Sequence, residues 1–135
     1  MTVQEIIREL QLMPHPEGGF YRENYRAVEK MKTQHGTIRN VCTAIYFLLQ
    51  DKDKSHLHRI QSDELWFFHA GQALEIFYID DGFLKSVILG NDIANGENLF
   101  FKIPANTWFG CRVRGEKGFA LVSCTVAPGF DFQDF

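Results

Sequence analysis

The order of hydrophobic and polar positions predicts one short helix at the start of the chain and β-strands after it. Thr2 and Glu5 have the spacing of a capping box, and the apolar residues that follow recur every three or four positions. Pro14 and Pro16 end this helical pattern, and the runs beyond them are rich in β-branched and aromatic residues. Nine strands are predicted, at residues 20–28, 41–49, 55–60, 64–69, 73–79, 83–89, 99–103, 107–113 and 119–126.

The number and shortness of these strands indicate an all-β barrel or sandwich. Asp80-Asp81-Gly82 lies between two strands and is a strong hairpin signal, and residues 114–118 are a looser one. Both signals imply antiparallel neighbours. The polar segment 29–37 is expected to be an exposed connection with some mobility.

Composition and charge fit one domain of 135 residues, which is long enough to bury a substantial core. Charged residues are mixed in sign and give a net charge of −3, so no nucleic-acid-binding surface is expected. The N-terminal residues lack the pattern of a secretory signal, and no apolar run is long enough to span a bilayer. We therefore expect a cytoplasmic protein without a membrane partner.

The three cysteines, Cys42, Cys111 and Cys124, are odd in number and contain no Cys-x-x-Cys pair. This spacing argues against a disulfide framework and against a zinc finger. Buried thiols are the interpretation that it favours.

The densest group of chemically active side chains lies at His56, His58 and Glu64. Residues two apart on a strand share a face, so His56 and His58 are expected to project together. Two imidazoles and one carboxylate suit one divalent ion, such as zinc, iron, manganese or nickel. They suit a metal-free polar pocket equally well, and the residues alone leave both interpretations open.

Residues 55–71 resemble the first sequence motif of the cupin superfamily, in which Gly-x5-His-x-His-x3-4-Glu-x6-Gly lines a jelly-roll barrel. His56, His58, Glu64 and Gly71 take the corresponding positions. The chain departs from the motif because five residues separate His58 from Glu64, and because no glycine stands six residues before His56.

The second cupin motif is represented by residues 96–109. Pro104 matches it, and Asn106 replaces a glycine, which is acceptable because asparagine tolerates a positive φ. Phe109 stands where the motif has its last metal-ligand histidine. That replacement counts against a four-ligand metal site of the cupin type.

Residues 15–23, 58–66 and 127–135 resemble a small single-domain cupin subfamily, Cupin_5, which is a domain of unknown function. The resemblance covers nearly the whole chain. It implies one jelly-roll domain over residues 1–135 with a pocket inside, commonly assembled as a homodimer and similar in shape to sugar-nucleotide epimerases. The subfamily typically keeps only the second histidine, so the resemblance supports His58 and Glu64 more firmly than His56.

In the metal-free interpretation, His58 is the general base or acid, because an imidazole titrates near neutral pH. Glu64 would set the tautomer of His58, and Arg22 would hold a negative group of the ligand. Tyr21 and Tyr46 are expected to orient an anionic or hydroxyl-bearing ligand.

Two tryptophans are candidates for the pocket wall. Trp66 has the strand parity of Glu64 and would stack on a sugar or planar ring, and Trp108 lies beside the position of the missing histidine. His15, His35 and His69 are expected to be structural or solvated. The C-terminal residues 128–135 alternate aromatic and polar side chains, which predicts an extended segment packed on the barrel or on a partner subunit.

Three functions are compatible with these residues, and whether the chain is an enzyme stays open. The leading hypothesis is a cupin that binds a small polar ligand, sugar-like or carboxylated, with isomerase or epimerase chemistry. The second is a metal-dependent oxygenase or isomerase that uses His56, His58 and Glu64. The third is a non-catalytic ligand-binding module.

Overall fold

The computed structural model describes residues 1–134, which form one short helix and twelve strands. Helix α1 spans Val3–Glu9. The strands are β1 Met13–Pro14, β2 Phe20–Arg26, β3 Lys30–Lys32, β4 Ile38–Asn40, β5 Thr43–Gln50, β6 Lys54–His58, β7 Asp63–Gly71, β8 Leu74–Asp80, β9 Phe83–Leu89, β10 Phe100–Ile103, β11 Phe109–Val113 and β12 Phe119–Ala127. Each of the nine predicted strands is present.

Two antiparallel sheets carry the fold. One has six strands in the order β1-β2-β5-β12-β7-β10, and the other has four in the order β6-β11-β8-β9. The main core contains side chains from both sheets, such as Leu49 and Val122 from the first and Ile76 and Phe109 from the second. Within residues 1–134 the ladders form separate sheets and do not close into a continuous barrel. The predicted fold class, an all-β jelly roll with a short N-terminal helix, is confirmed.

Helix α1 begins as its capping-box spacing predicts, because the Thr2 hydroxyl accepts a hydrogen bond from the Glu5 backbone N–H at 3.1 Å. Its buried face contributes Ile6, which packs with Leu12 and Leu48 in a second, smaller core. This core lies on the face of the six-stranded sheet that is turned away from the other sheet. No helix among the described residues is long and apolar enough to cross a bilayer.

The connection predicted at residues 29–37 is partly a hairpin, because β3 pairs with β4 as a small two-stranded sheet. Its strand β3 is exposed, as the polar sequence led us to expect. The strand pairing was missed because lysines and a single methionine give β3 no apolar alternation.

The predicted extended conformation of residues 128–135 is wrong for Phe132–Asp134, which form a 3-10 turn. The Asp131 side chain accepts a hydrogen bond from the Gln133 backbone N–H at 2.9 Å, and such a local bond favours a turn over a strand. The segment packs on its own chain, where Asp134 forms a 2.7 Å ion pair with Arg39. Phe135 lies outside the described residues.

The turn between β1 and β2 is pressed against β6. Gly18 has a φ of +111°, and a Cβ at this position would lie 2.0 Å from the backbone oxygen of Lys54. The adjacent Gly19 has a φ of +78° and would meet the backbone oxygen of Leu48 at 2.7 Å. Only glycine allows this approach, because the neighbouring atoms belong to backbone that cannot move aside.

We expect Gly18→Ala to lower the free energy of unfolding by about 3 kcal/mol, because it adds backbone strain and a clash with β6. Gly36→Ala is the matched control, since Gly36 also has a positive φ, +83°, but has no atom within 4 Å of an added Cβ. It should cost only about 1 kcal/mol of conformational strain. Urea unfolding of both variants measures the difference, and equal losses would show that the turn tolerates a side chain.

Candidate functional site

A β-bulge in β6 decides which of its side chains face the space between the sheets. Ser55 pairs with Cys111 and His58 pairs with Phe109, so three steps along β6 match two along β11. The extra residue reverses the strand parity, so that Ser55 is buried and His58 faces inward while His56 is exposed. The prediction that His56 and His58 share a face is therefore wrong.

The bulge fits against β11 because residue 110 is a glycine. A Cβ on Gly110 would lie 2.7 Å from the backbone oxygen of Ser55. The His56 backbone N–H donates to the Glu17 carbonyl at 3.3 Å, which ties the bulge to the turn before β2. The imidazole of His56 lines an outer groove with Leu57 and Leu84.

A second bulge, in β2, changes which side chains of this strand face the space between the sheets. Glu23 pairs with Ile45 and Tyr25 pairs with Ala44, so Asn24 is the extra residue. Before the bulge Tyr21 and Glu23 face the space between the sheets, and after it Arg26 does.

Two predicted ligand contacts lie on the opposite face of the six-stranded sheet. The Arg22 guanidinium donates to the side-chain oxygen of Gln11, and Tyr46 packs against the small core under helix α1. Arg22 and Tyr46, which were predicted to orient a ligand in the pocket, therefore do not line the cavity. The guanidinium at the cavity belongs to Arg26. Regular alternation from Tyr21 would place Arg26 on the face turned away from the cavity, and the bulge reverses this.

The side chains that the two bulges turn inward help to line a cavity of about 330 Å³ between the sheets. This cavity has a narrow inner extension of about 30 Å³. His58 and Glu64 line both parts, as does His15. The other side chains along the main cavity are Tyr21, Glu23, Arg26, Thr43, Ile45, Ile60, Cys124, Val126, Phe130, Asp131 and Phe132.

His58 has a defined tautomer. Its Nδ1 lies 2.7 Å from the carbonyl oxygen of His56, and because a carbonyl only accepts, Nδ1 carries the proton and Nε2 is the basic nitrogen. Burial lowers the pKa of His58, although this hydrogen bond and the nearby Glu17 carboxylate oppose the effect. The ring is therefore neutral at pH 7. The predicted role of Glu64 in setting this tautomer belongs instead to the His56 backbone.

Glu64 is buried beside the cavity, where the Trp66 indole N–H donates to its Oε1 at 2.8 Å. Burial raises the pKa of Glu64 to about 7, and the hydrogen bond from Trp66 only partly opposes this. The carboxyl group is thus protonated in a large share of molecules at neutral pH. Trp66 lines the inner extension, and its ring packs edge-on against Phe47 and Phe109.

His15 is a cavity residue that the sequence reading missed. Its Nδ1 accepts the Glu17 backbone N–H at 2.9 Å, and its ring is held edge-on by Tyr21 and Phe47. Burial, with a smaller contribution from His58, lowers the pKa of His15. The hydrogen bond to Glu17 is structural, as expected of His15, but its position on the cavity wall was not predicted. The two glycines that follow in the turn were the available signal, because they let the chain fold back on β6.

Trp108 lines a neighbouring pocket of about 390 Å³ together with His58 and Ile60, which also line the main cavity, so it forms part of a pocket wall. It is 43% exposed, and the Arg59 guanidinium stacks over its ring at 5.0 Å. His35 is exposed, and His69 hydrogen-bonds Ser123 on the outer face of its sheet, so their predicted peripheral character agrees with their positions.

Arg26 and Glu23, two charged residues of the cavity wall, are paired with each other. Arg26 donates to both carboxylate oxygens of Glu23, at 2.6 and 3.1 Å. Its other contacts are the side-chain oxygen of Asn40 at 2.8 Å and the carbonyl oxygen of Phe130 at 3.1 Å. These hydrogen bonds hold the Arg26 guanidinium against the cavity wall.

The donor set does not fit the predicted divalent-metal centre. His56 is turned outward, and the position of the last cupin ligand is the buried ring of Phe109, 4.4 Å from the His58 ring. Across residues 1–134 no three His, Cys, Asp or Glu side chains are arranged to hold a metal ion. We therefore assign no chemical step to a metal.

A jelly roll with an imidazole and a carboxyl group facing a cavity between its sheets has the architecture of a cupin. The chain belongs to the family described as Cupin superfamily (DUF985), Cupin_5, whose sequence model matches residues 4–135. The predicted family is thereby confirmed. Homodimer assembly and cytoplasmic location stay predictions.

Three similar proteins have names that state no activity. The uncharacterized protein YML079W of Saccharomyces cerevisiae is 28% identical over 147 residues, which cover 98% of this chain and 73% of the yeast protein. A hypothetical protein from Leishmania major has a TM-score of 0.94 at 38% identity, covering 99% of this chain and 85% of that chain. Protein SO0799 from Shewanella oneidensis has a TM-score of 0.90 at 41% identity, with coverages of 99% and 82%.

More distant structures share the fold alone. Oxalate decarboxylase from Bacillus subtilis has a TM-score of 0.63 at 15% identity, covering 90% of this chain and 28% of that chain.

We expect Glu64→Gln to change how stability depends on pH. Folding raises the pKa of Glu64 from 4.5 to about 7, so in this interval the folded chain binds more protons than the unfolded chain. The free energy of unfolding of the wild type should therefore fall, relative to the variant, by about 3 kcal/mol as pH rises from below 4.5 to above 7. Urea unfolding at a series of pH values measures this, and parallel curves for the two proteins would contradict a raised pKa.

Proposed function

We propose that this protein binds a small, neutral, sugar-like compound in its internal cavity and catalyses an acid–base isomerisation or epimerisation. The observation that carries the proposal is that His58 and Glu64 open onto the same cavity and its inner extension. The cavity volume of about 330 Å³ lies within the range of small-molecule sites.

The charges of the wall support a neutral ligand over a carboxylated one. Arg26 is the cationic side chain on the wall, and its guanidinium is engaged by Glu23, Asn40 and the Phe130 carbonyl. A ligand carboxylate would have to break the pair with Glu23 and would also face the Asp131 side chain. A sugar-like compound meets hydroxyl and imidazole groups at no such cost.

The protonation states of the two central groups support proton transfer. Nε2 of His58 is basic and therefore suited to accept a proton, while Glu64 is protonated often enough near neutral pH to donate one. Groups whose environments move their pKa values in opposite directions can act as base and acid in the same site. The lowered pKa of His58 and the raised pKa of Glu64 meet this condition.

Ligand binding is tested by a thermal-shift screen with neutral monosaccharides, polyols and organic acids, followed by His58→Ala and His56→Ala as a matched pair. We expect neutral sugar-like compounds to raise the melting temperature more than organic acids do. His58→Ala should abolish this shift or weaken it strongly, because it removes a cavity wall group. His56→Ala should leave the shift unchanged, since that imidazole lines the outer groove.

Catalysis is tested by following the stabilising compound by NMR in the presence of the enzyme. We expect a new isomer to form, with a rate at least about 100-fold lower in His58→Ala. Stabilisation without any chemical change would identify a non-catalytic binding module instead. Equal effects of the His56 and His58 substitutions would remove the proposed site.

A further inference from the structure

Two imidazoles face the cavity in opposite tautomers. A carbonyl oxygen contacts Nδ1 of His58 and a backbone N–H contacts Nδ1 of His15, so the first nitrogen carries a proton and the second does not. In the neutral ring of His15 the proton must then lie on Nε2. His15 is consequently a hydrogen-bond donor at Nε2, and His58 is an acceptor at Nε2.

The backbone of Glu17 helps to position the rings of both His15 and His58. The Glu17 backbone N–H donates to His15, and the Glu17 carbonyl accepts from the His56 backbone N–H at the bulge that aims His58. The His15 ring is further held edge-on between Tyr21, at 4.8 Å between ring centroids, and Phe47, at 5.5 Å. Neither ring can exchange its tautomer without losing a backbone hydrogen bond.

We infer that His15 and His58 form a donor–acceptor pair for a ligand with a carbonyl group next to an acidic C–H, such as an open-chain α-hydroxycarbonyl sugar. Nε2–H of His15 would hydrogen-bond the carbonyl oxygen, and Nε2 of His58 would face the neighbouring carbon. This inference rests on the proposed function and specifies its substrate class.

The chemical step that this pair supports is an enolisation. The C–H bond next to the carbonyl breaks, its proton moves to Nε2 of His58, and its electron pair forms a carbon–carbon double bond. The carbonyl π electrons move to the oxygen, where the His15 N–H stabilises the negative charge. Return of the proton to the same carbon or to the former carbonyl carbon completes epimerisation or isomerisation, without an oxidant or reductant.

A neutral imidazole is suited to this role because it donates a hydrogen bond without adding a full charge to a buried site. Burial among Tyr21 and Phe47 keeps His15 neutral, and the neighbouring His58 acts in the same direction. The Glu17 carboxylate acts on His15 in the opposite direction but more weakly, and the remaining carboxylate on the inner wall is Glu64. Glu64, which lines the same inner extension as His15 and His58, would move the proton between the oxygens of the intermediate.

The tautomers are tested directly by long-range ¹H–¹⁵N correlation spectra of the wild-type imidazoles, assigned with His15→Gln and His58→Gln. We expect protonated Nε2 in His15 and protonated Nδ1 in His58 at pH 7. The same tautomer in both rings would overturn the inference and would leave the proposed ligand-binding function standing. This measurement needs no ligand.

The substrate class is tested with D-ribulose and ribitol, which share a five-carbon chain and differ in the carbonyl group. In D₂O we expect the wild type to exchange the protons on the carbons beside the ribulose carbonyl, and ribulose to stabilise the protein more than ribitol does. Equal stabilisation by both, without exchange, would support a polyol-type ligand site and overturn the carbonyl inference. Absence of both stabilisation and exchange with ribulose would overturn it as well, while the wider panel of neutral compounds still decides the proposed function.

His15→Phe and His15→Gln form a matched pair for the donor. Phenylalanine has neither the acceptor for the Glu17 N–H nor a donor, whereas glutamine has an amide oxygen and keeps an N–H donor near the place of Nε2. We expect exchange to be about 100-fold slower in His15→Phe, as for loss of one oxyanion donor, and largely restored in His15→Gln. Equal rates in both variants would show that His15 acts by packing alone. Circular dichroism and melting temperatures establish that each variant is folded.

Discussion

The candidate site depends on one constraint, which is that β6 contains one residue more than the strand it pairs with. Because of that extra residue, Ser55 and His58 face the same side although they are three positions apart. The close approach that this needs is possible only because Gly110 has no side chain to meet the Ser55 carbonyl. A regular β6 would direct either Ser55 or His58 away from the core, and the cavity would lose its basic nitrogen if the residue turned away were His58.

The turn before β2 extends this constraint from one strand to the whole site. Its glycines, Gly18 and Gly19, allow the backbone to approach β5 and β6 closely. The preceding residue, Glu17, accepts a hydrogen bond from the His56 backbone in β6 and donates one to the His15 side chain. Side chains from β2, β6 and β7 therefore meet at one cavity because the backbones that carry them are joined by hydrogen bonds. Proteins commonly place catalytic groups on such over-determined backbone.

The fold could be predicted from the sequence because its signals are local and repeated. Each of the nine predicted strands shows its own apolar run, Thr2 begins the helix as a capping residue, and the hairpin at Asp81 and Gly82 is formed by residues that favour a left-handed conformation. His58 and Glu64 were also placed correctly at a shared cavity.

What failed is the face assignment near each bulge. A parity argument assumes regular pairing, so the bulge in β6 misplaced His56, and the bulge in β2 turns Arg26 to the face that alternation from Tyr21 would not give it. No residue within β6 or β2 indicates that the strand contains an extra position. The glycine that permits the bulge in β6 is Gly110, which lies on the partner strand more than fifty positions further along the chain. His15 was missed for a related reason, because its place is set by contacts with β6 that a local pattern does not contain.

The buried sulfur on the cavity wall has a consequence for the durability of the site. Cys124 lines both parts of the cavity, and burial together with the Glu64 carboxylate raises the pKa of its thiol well above the ordinary value. Only the thiolate reacts readily with oxidants, so Cys124 is chemically quiet while the sheets stay packed. Among the three cysteines, oxidation of the native protein would begin at the partly exposed Cys42, outside the cavity, and would leave the cavity wall unmodified.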